Sequence, residues 1–201
     1  MKKIIVPIII LATFGFANAQ TKQKGTFEIT PKIGVSSFFE TNGNKNTDSN
    51  SGVEFGATID YYFNNRWSLR SGLISNKMGS KYIYNNYKYE DKLNYLSIPI
   101  NANWHFGSTR KWNLNFGLSP SFPTNSTVIA NNVSQQLPKN AIVSFQLGFT
   151  YGIGYKIEVT KKFGILIDSQ FFDGLTNIDN SNNFKITNHG YSFNLGGVIE
   201  L

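Results

Sequence analysis

Cysteine is absent from all 201 residues, and histidine occurs only twice. A disulfide framework and thiolate metal ligation are excluded, and two histidines without cysteine make no zinc site. Lipid attachment at a mature N-terminal cysteine is excluded on the same ground. The formal net charge is +7, yet the basic residues form no cluster of the kind that tracks a nucleic acid, so none is expected as a partner. Beyond Phe16 no apolar run approaches the ~20 residues that a spanning helix needs. The glycine pairs at Gly152 and Gly154, and at Gly196 and Gly197, lie in strand-like patterns with no helix following, which excludes a dinucleotide loop. No cofactor is implied.

What is present begins with MKKIIVPIIILATFGFANAQ: two lysines, an apolar run from Ile4 to Phe16, then Ala17-Asn18-Ala19. This order predicts a secretory leader over residues 1–19, cut after Ala19, and one mature domain over 20–201. The mature chain carries 17 basic and 12 acidic residues, a net of +5. With no helical span available, a membrane-resident chain must be a closed β-barrel, because lipid offers backbone groups no partner.

Residues 143–158 read VSFQLGFTYGIGYKIE. Odd positions from Val143 to Ile157 are apolar; the even ones are Ser, Gln, Gly, Thr, Gly, Gly, Lys and Glu. Side chains alternate across a strand, so this is a strand with one greasy face and one small, polar face. The pattern recurs over 26–39, 52–63, 67–73, 96–106, 112–122, 163–171 and 191–201, giving eight predicted strands. Three connections are tight: Asn64-Asn65, Gly107 to Arg110, and Thr160 to Lys162. Four are long and polar, near 40–51, 79–92, 123–140 and 173–188. Long and short alternate strictly, which in an up-and-down meander puts every long loop at one end. Pro31, Pro99 and Pro120 fall within strands, and bulges are expected beside them.

Size decides which face looks inward. An eight-stranded barrel is just wide enough to be filled by its own side chains, so five to eight large apolar groups per strand would overfill it. The small, polar face goes inside and the greasy face meets lipid. The fold class predicted is therefore all-β, an eight-stranded antiparallel up-and-down transmembrane β-barrel. Trp67, Trp104, Trp112 and Tyr155 lie near the short turns and are expected as an interface girdle, with Phe38, Phe55, Phe122, Phe171 and Tyr191 near the other end. The lumen is expected to hold Glu28, Lys32, Glu54, Asp60, Arg66, Arg70, Lys156, Asp168 and Glu200, with His105 and Glu158, as mutually neutralising charges rather than a path.

The stretch KLNYLSIPINANWHFG, residues 92–107, resembles the "Y-L-x-I-P" strand of PorT-type outer-membrane β-barrel proteins through Tyr95, Leu96, Ile98 and Pro99. SLRSGL at 68–73 and the final FNLGGVIEL resemble the same porin-like family, whose members often carry an acidic residue where this chain has Ser97. The resemblance implies residence in the outer membrane of a Gram-negative envelope. One branch is linked to protein secretion and gliding, and most members have no assigned role.

The expected function is a non-enzymatic barrel that docks envelope or secretion partners through its loops. YIYNNYKYEDK (82–92) supplies Tyr82, Tyr84, Tyr87 and Tyr89 as binding candidates, interleaved with charge. The terminal strand ends on Leu201, expected to be read by the outer-membrane assembly machinery; outer-membrane lipids are the remaining partner. A small-solute channel is the alternative. A lipid-modifying enzyme comes third, on a loose grouping of His189 with Asp173, Asp179 and Ser181.

Overall fold

The computed structural model describes residues 22–42, 45–138, 140–181 and 184–201, with 45 and 46 described by backbone alone. The expected leader and its cleavage point lie outside these residues. Twelve strands occur among them. The first four are β1 (Phe27–Asn42), β2 (Lys45–Asn46), β3 (Asp48–Tyr62) and β4 (Trp67–Met78). Then come β5 (Ser80–Tyr84), β6 (Tyr87–Ser97), β7 (Ile100–Phe106) and β8 (Trp112–Ala130). The last are β9 (Val133–Gln136), β10 (Gln146–Glu158), β11 (Phe163–Gly174) and β12 (Ile186–Glu200).

Every ladder is antiparallel, and the long ones close on themselves. β1 pairs with β3, β3 with β4, and β4 with both β6 and β7. β6 and β7 both pair with β8, which pairs with β10, and the series continues through β11 and β12 back to β1. A closed up-and-down ring results, which removes the exposed edges of an open sheet. The amide of Leu201 donates to the Phe27 carbonyl at 3.0 Å and extends the closing seam one residue beyond β12.

Twelve strands replace the expected eight for two physical reasons. Pro99 has no N–H to give, so one predicted strand breaks into β6 and β7. The loops supply the other three. Asn85 and Asn86 (φ 49° and 64°), and Asn131 and Asn132 (φ 47° and 68°), turn left-handed and fold loop segments into the hairpins β5–β6 and β8–β9. β2 pairs with the end of β1. Segments read as polar loop, 79–92 and 123–140, are therefore largely sheet.

Pro31, Pro99 and Pro120 leave their registers unbroken, and the shift in the β6–β8 ladder lies beside Pro123. The β1–β12 ladder skips Thr30 and Pro31 but keeps one register, Ile29 opposite Ile199 and Lys32 opposite Gly196. Pro120 pairs with Leu147 in an unbroken ladder, and Ile100 resumes the register that Ser97 left. A missing donor needs only a gap in one ladder, not an extra residue. The register shift falls instead between Asn94 and Tyr95, where Thr124 is the unmatched residue and its hydroxyl donates to the Asn94 carbonyl at 3.1 Å.

Alternation sorts the faces as expected. Ile33, Val35, Val53, Phe55 and Leu73 are exposed outside, whereas Asn103, Asn115 and Gln146 are fully buried inside. A belt of exposed apolar side chains so continuous is foreign to a water-soluble monomer. One strand departs from its reading: β10 begins at Gln146, and Val143 packs at the mouth of the ring. Phe38 also departs, since strand parity turns it inward, where it is buried.

Candidate functional site: a filled lumen under a sheet of loop hairpins

The lumen is layered. At the short-turn end Lys156 Nζ lies 2.9 and 3.2 Å from the two carboxylate oxygens of Glu28. The Tyr62 hydroxyl donates to the same carboxylate at 2.8 Å, and Lys22 reaches it at 2.9 Å while also pairing with Glu200. One layer up, Arg70 Nε approaches the Asp60 oxygens at 3.1 and 3.3 Å, with Nη1 3.9 Å from Asp168. Ser68 and Asn103 donate to Asp60 at 2.9 and 2.8 Å, and Gln170 to Asp168 at 2.8 Å. His105 is stacked on Tyr62, ring centroids 4.8 Å apart, and touches Ser68 at 3.0 Å. On a third wall Lys32 donates to Glu54 at 3.2 Å. Buried charges of both signs are paired and further hydrogen-bonded, the condition under which burial is tolerable.

Above these pairs lies a cavity of about 50 Å³, bordered by Arg70, Asp168, Glu54, Asn101 and Thr150. It has room for a few water molecules and no more. Its roof is apolar: Phe38, Met78, Leu93, Tyr95, Phe172 and Ile178 form one buried cluster, backed by Leu137, Ile142, Val143 and Ile186. Phe38 and Phe172 meet with ring centroids 6.1 Å apart. The sequence reading missed this roof, and its signal was parity: in Phe38-Phe39 and Phe171-Phe172 one ring of each pair must face in.

Of the expected lumen charges, Glu28, Lys32, Glu54, Asp60, Arg70, Lys156 and Asp168 lie inside the ring in the pairs given above. Glu200 sits at the rim with Lys22, and Glu158 at the rim 3.9 Å from Lys111. Arg66 is a correction. It is exposed in the turn, because Asn64 Oδ1 accepts from the amides of Arg66 and Trp67 at 2.8 and 3.1 Å and so starts β4 only at Trp67. The four girdle candidates form one outward aromatic chain: Trp67 to Trp104 at 6.3 Å, then through Phe106 to Trp112, and Trp112 to Tyr155 at 4.8 Å.

The loop tyrosines come together more closely than sequence spacing implies. In the β5–β6 hairpin Tyr82 faces Tyr89 and Tyr84 faces Tyr87, so all four share one side. Tyr82 and Tyr89 stack at 5.3 Å, nearly parallel. This side continues the inward face of the ring and overhangs its mouth with Ser80, Asp91 and Glu40. Ser80 donates to Glu40 at 2.8 Å. Burial, reinforced by the charge of Asp91, pushes the Glu40 carboxyl up to about 7. Burial likewise raises Asp91 to about 6, partly opposed by the Tyr82 hydroxyl.

At the outer rim the Asp173 carboxylate lies 3.0 Å from His189 Nδ1, and the Thr187 hydroxyl 2.9 Å from Nε2. Ser181, the hydroxyl proposed from sequence, donates to Asp179 instead. Phe39 stacks on the imidazole at 5.6 Å. Among the described residues no group of three or more metal-ligating side chains occurs.

A closed antiparallel ring with an apolar outside and a hydrogen-bonded polar inside defines an outer-membrane β-barrel. Residues 18–180 match the model of the outer membrane protein beta-barrel domain, and the chain belongs to that family. Its place is the outer membrane. No curated protein sequence matches it significantly. Neisserial surface protein A is similar in fold, with TM-score 0.51 and 13% identity over 87% of this chain and 97% of that one. The attachment invasion locus protein Ail of Yersinia pestis, solved with the heparin analogue sucrose octasulfate, gives 0.49 and 12% over 86% and 99%. OprG of Pseudomonas aeruginosa gives 0.49 and 10% over 89% and 97%.

Proposed function

We propose that the chain crosses the outer membrane eight times and serves, without catalysis, as a platform that docks envelope or secretion partners on its extracellular sheet. The observation that carries this reading is the pairing register that gathers Tyr82, Tyr84, Tyr87 and Tyr89 on one side of a hairpin above a filled lumen. Tyrosine offers large contact area at low entropic cost together with a hydroxyl, a chemistry suited to protein surfaces and glycans. Tyr84 and Tyr87 at the hairpin tip are the most open, at 64% and 52% exposed. In this reading Trp67, Trp104, Trp112 and Tyr155 anchor the inner interface, and Leu201 is the mark read during assembly.

The test is site-specific photo-cross-linking from Tyr84 and Tyr87 in growing cells. Discrete adducts that disappear in a chain lacking residues 81–90, with heat-dependent gel mobility retained, are expected. Identical adduct patterns with and without the hairpin would defeat the docking reading.

A solute channel requires a path where the lumen offers about 50 Å³ between an apolar roof and a charge-paired floor. The Asp173–His189–Thr187 contacts favour a weaker third reading, acyl transfer. Against it, Thr187 is only 8% exposed, which leaves a substrate carbonyl little approach to its hydroxyl. In our reading these contacts pin the β11–β12 rim, and His189→Ala leaves the lipid profile of the envelope unchanged.

A further inference from the structure

The opposite side of the same extracellular sheet carries a separate feature. Lys81 faces Glu90, Ile83 faces Lys88, and Lys81 also faces Asp48, so these residues share the side turned away from the mouth. Lys92 is on that side by parity with Glu90 and Lys88, its Nζ 3.6 Å from Glu90. Lys77 Nζ, in the seam where β4 leaves β3, lies 3.7 Å from the same carboxylate. Four lysines thus surround two acidic residues, and Ile83 and Ile129 supply apolar surface to a depression bordered by Lys81, Lys88, Glu90, Asn131 and Asn132, which Tyr82 and Tyr89 also line.

Position matters as much as charge. This side continues the outward apolar belt: in β6 the outward series runs Leu96, Asn94, Lys92, Glu90, Lys88. Leu96 pairs with Phe122 at the top of the belt. With ~3.4 Å per residue and a tilt of ~40°, Lys92 stands about 10 Å and Lys88 about 20 Å above Leu96. A phospholipid head group spans only about 5–8 Å on each side of the hydrocarbon. A taller head group is needed to reach both levels. At the outer rim the outward residues of the β11–β12 ladder are Asp173, His189 and Tyr191, with a single exposed lysine, Lys185, just before β12, so the lysines are densest on the β4–β6 arc.

We propose that this patch binds the phosphorylated saccharide head group of an outer-leaflet glycolipid, its phosphates on Lys81, Lys88 and Lys92 and its acyl chains against the belt below. Glu90 holds Lys77 and Lys92 together and weakens the site by its own charge. The proposal does not rest on the docking reading: the lysines pair on the side away from Tyr84 and Tyr87, although Tyr82 and Tyr89 also line the depression.

The refolded full chain in zwitterionic detergent is titrated with diphosphorylated lipid A carrying core sugars, and bound lipid is counted by native mass spectrometry. Lys81→Gln/Lys88→Gln/Lys92→Gln is expected to weaken binding about tenfold or more, from a contribution of roughly fivefold per lysine discounted for Glu90. Glu90→Gln is expected to tighten it, a direction that a folding defect does not produce. Lys161→Gln/Lys162→Gln, at the opposite end, should change nothing. Equal lipid binding by the triple variant and the wild type overturns the proposal. So does displacement of the lipid by millimolar inorganic phosphate, which would make the patch a site for soluble anions. A tenfold fall in wild-type binding between low and high salt is the further expectation, and salt-independence counts against it.

Discussion

Lys156 and Glu28 are 128 residues apart in sequence, yet the ammonium of one sits within 3.2 Å of both carboxylate oxygens of the other. β10 and β1 are separated by two intervening strands, so the pair ties non-adjacent walls of the ring across its interior. Tyr62 from β3 and Lys22 join at the same carboxylate. Removing the ammonium leaves Glu28 buried with less than its full complement. Lys156→Met should therefore lower stability by about 3 kcal/mol, and Lys156→Met/Glu28→Gln by clearly less. Guanidinium titration of the refolded barrel, followed by gel mobility, checks both values. Equal losses in the single and double variants would mean that the pair is not coupled.

The apolar roof and the charged floor each close the lumen. Wild-type protein in a planar bilayer is expected to show no conductance steps. Phe38→Ala/Phe172→Ala opens only the roof, and the Arg70–Asp60 layer beneath should keep the barrel silent. Adding Arg70→Ala still leaves the Lys156–Glu28–Tyr62 layer below it, so steps are expected only when Lys156→Ala is added as well. Conductance from folded wild-type protein would favour the channel reading.

Glu40 and Asp91 lie above the outer end of the apolar belt, and both carboxyls are raised by burial, to about 7 and about 6. The folded state therefore binds protons more tightly than the unfolded chain, where these groups titrate near 4.5 and 3.8. By linkage, the stability they confer is greatest at low pH and falls as pH rises from about 4 to 7. Protection of β5–β6 amides from hydrogen exchange should fall over this window in the wild type and vary less in Glu40→Gln. An unchanged profile in that variant would remove Glu40 as the cause.

Gly117 lets β7 and β8 approach. A Cβ there would strike the Ile100 carbonyl and lie 2.7 Å from Asn101 Cα. The obstacle is backbone and cannot swing aside. Gly117→Val should abolish the heat-dependent mobility shift of the folded barrel, whereas Gly107→Ala, in an open turn, should only strain a φ of 81° and leave the barrel folded.

Leu201 extends the seam between the first and last strands through its amide, which any residue other than proline supplies. The side chain is exposed, so Leu201→Asn keeps the seam but changes the mark proposed for assembly. Yield in cells should fall while refolding of the purified chain in detergent is unaffected. Loss of both together would place the residue in barrel stability alone.

Much of this protein is legible in its order of residues. A period of two, sustained over strands longer than a globular sheet requires, fixes which side chains face together. With no helical span available, that pattern leads to a closed antiparallel ring with a polar inside. Turn chemistry, such as the Asn64 carboxamide over Trp67, follows from residues near in sequence. What only the tertiary structure decided is which distant groups meet. Parity states that Glu28 and Lys156 face inward, but the stagger around the ring sets their height: a slip of one residue would turn Lys156 out to lipid, and a slip of two would keep it inside at another level. The same holds for the apolar roof, assembled from five strands and two loops, and for the loops themselves. Asparagine pairs such as Asn85-Asn86 can be read as loop or as a hairpin turn. The sheet edges already present in β3 and β8 made them turns, because an extended neighbour gives the new strand its hydrogen bonds.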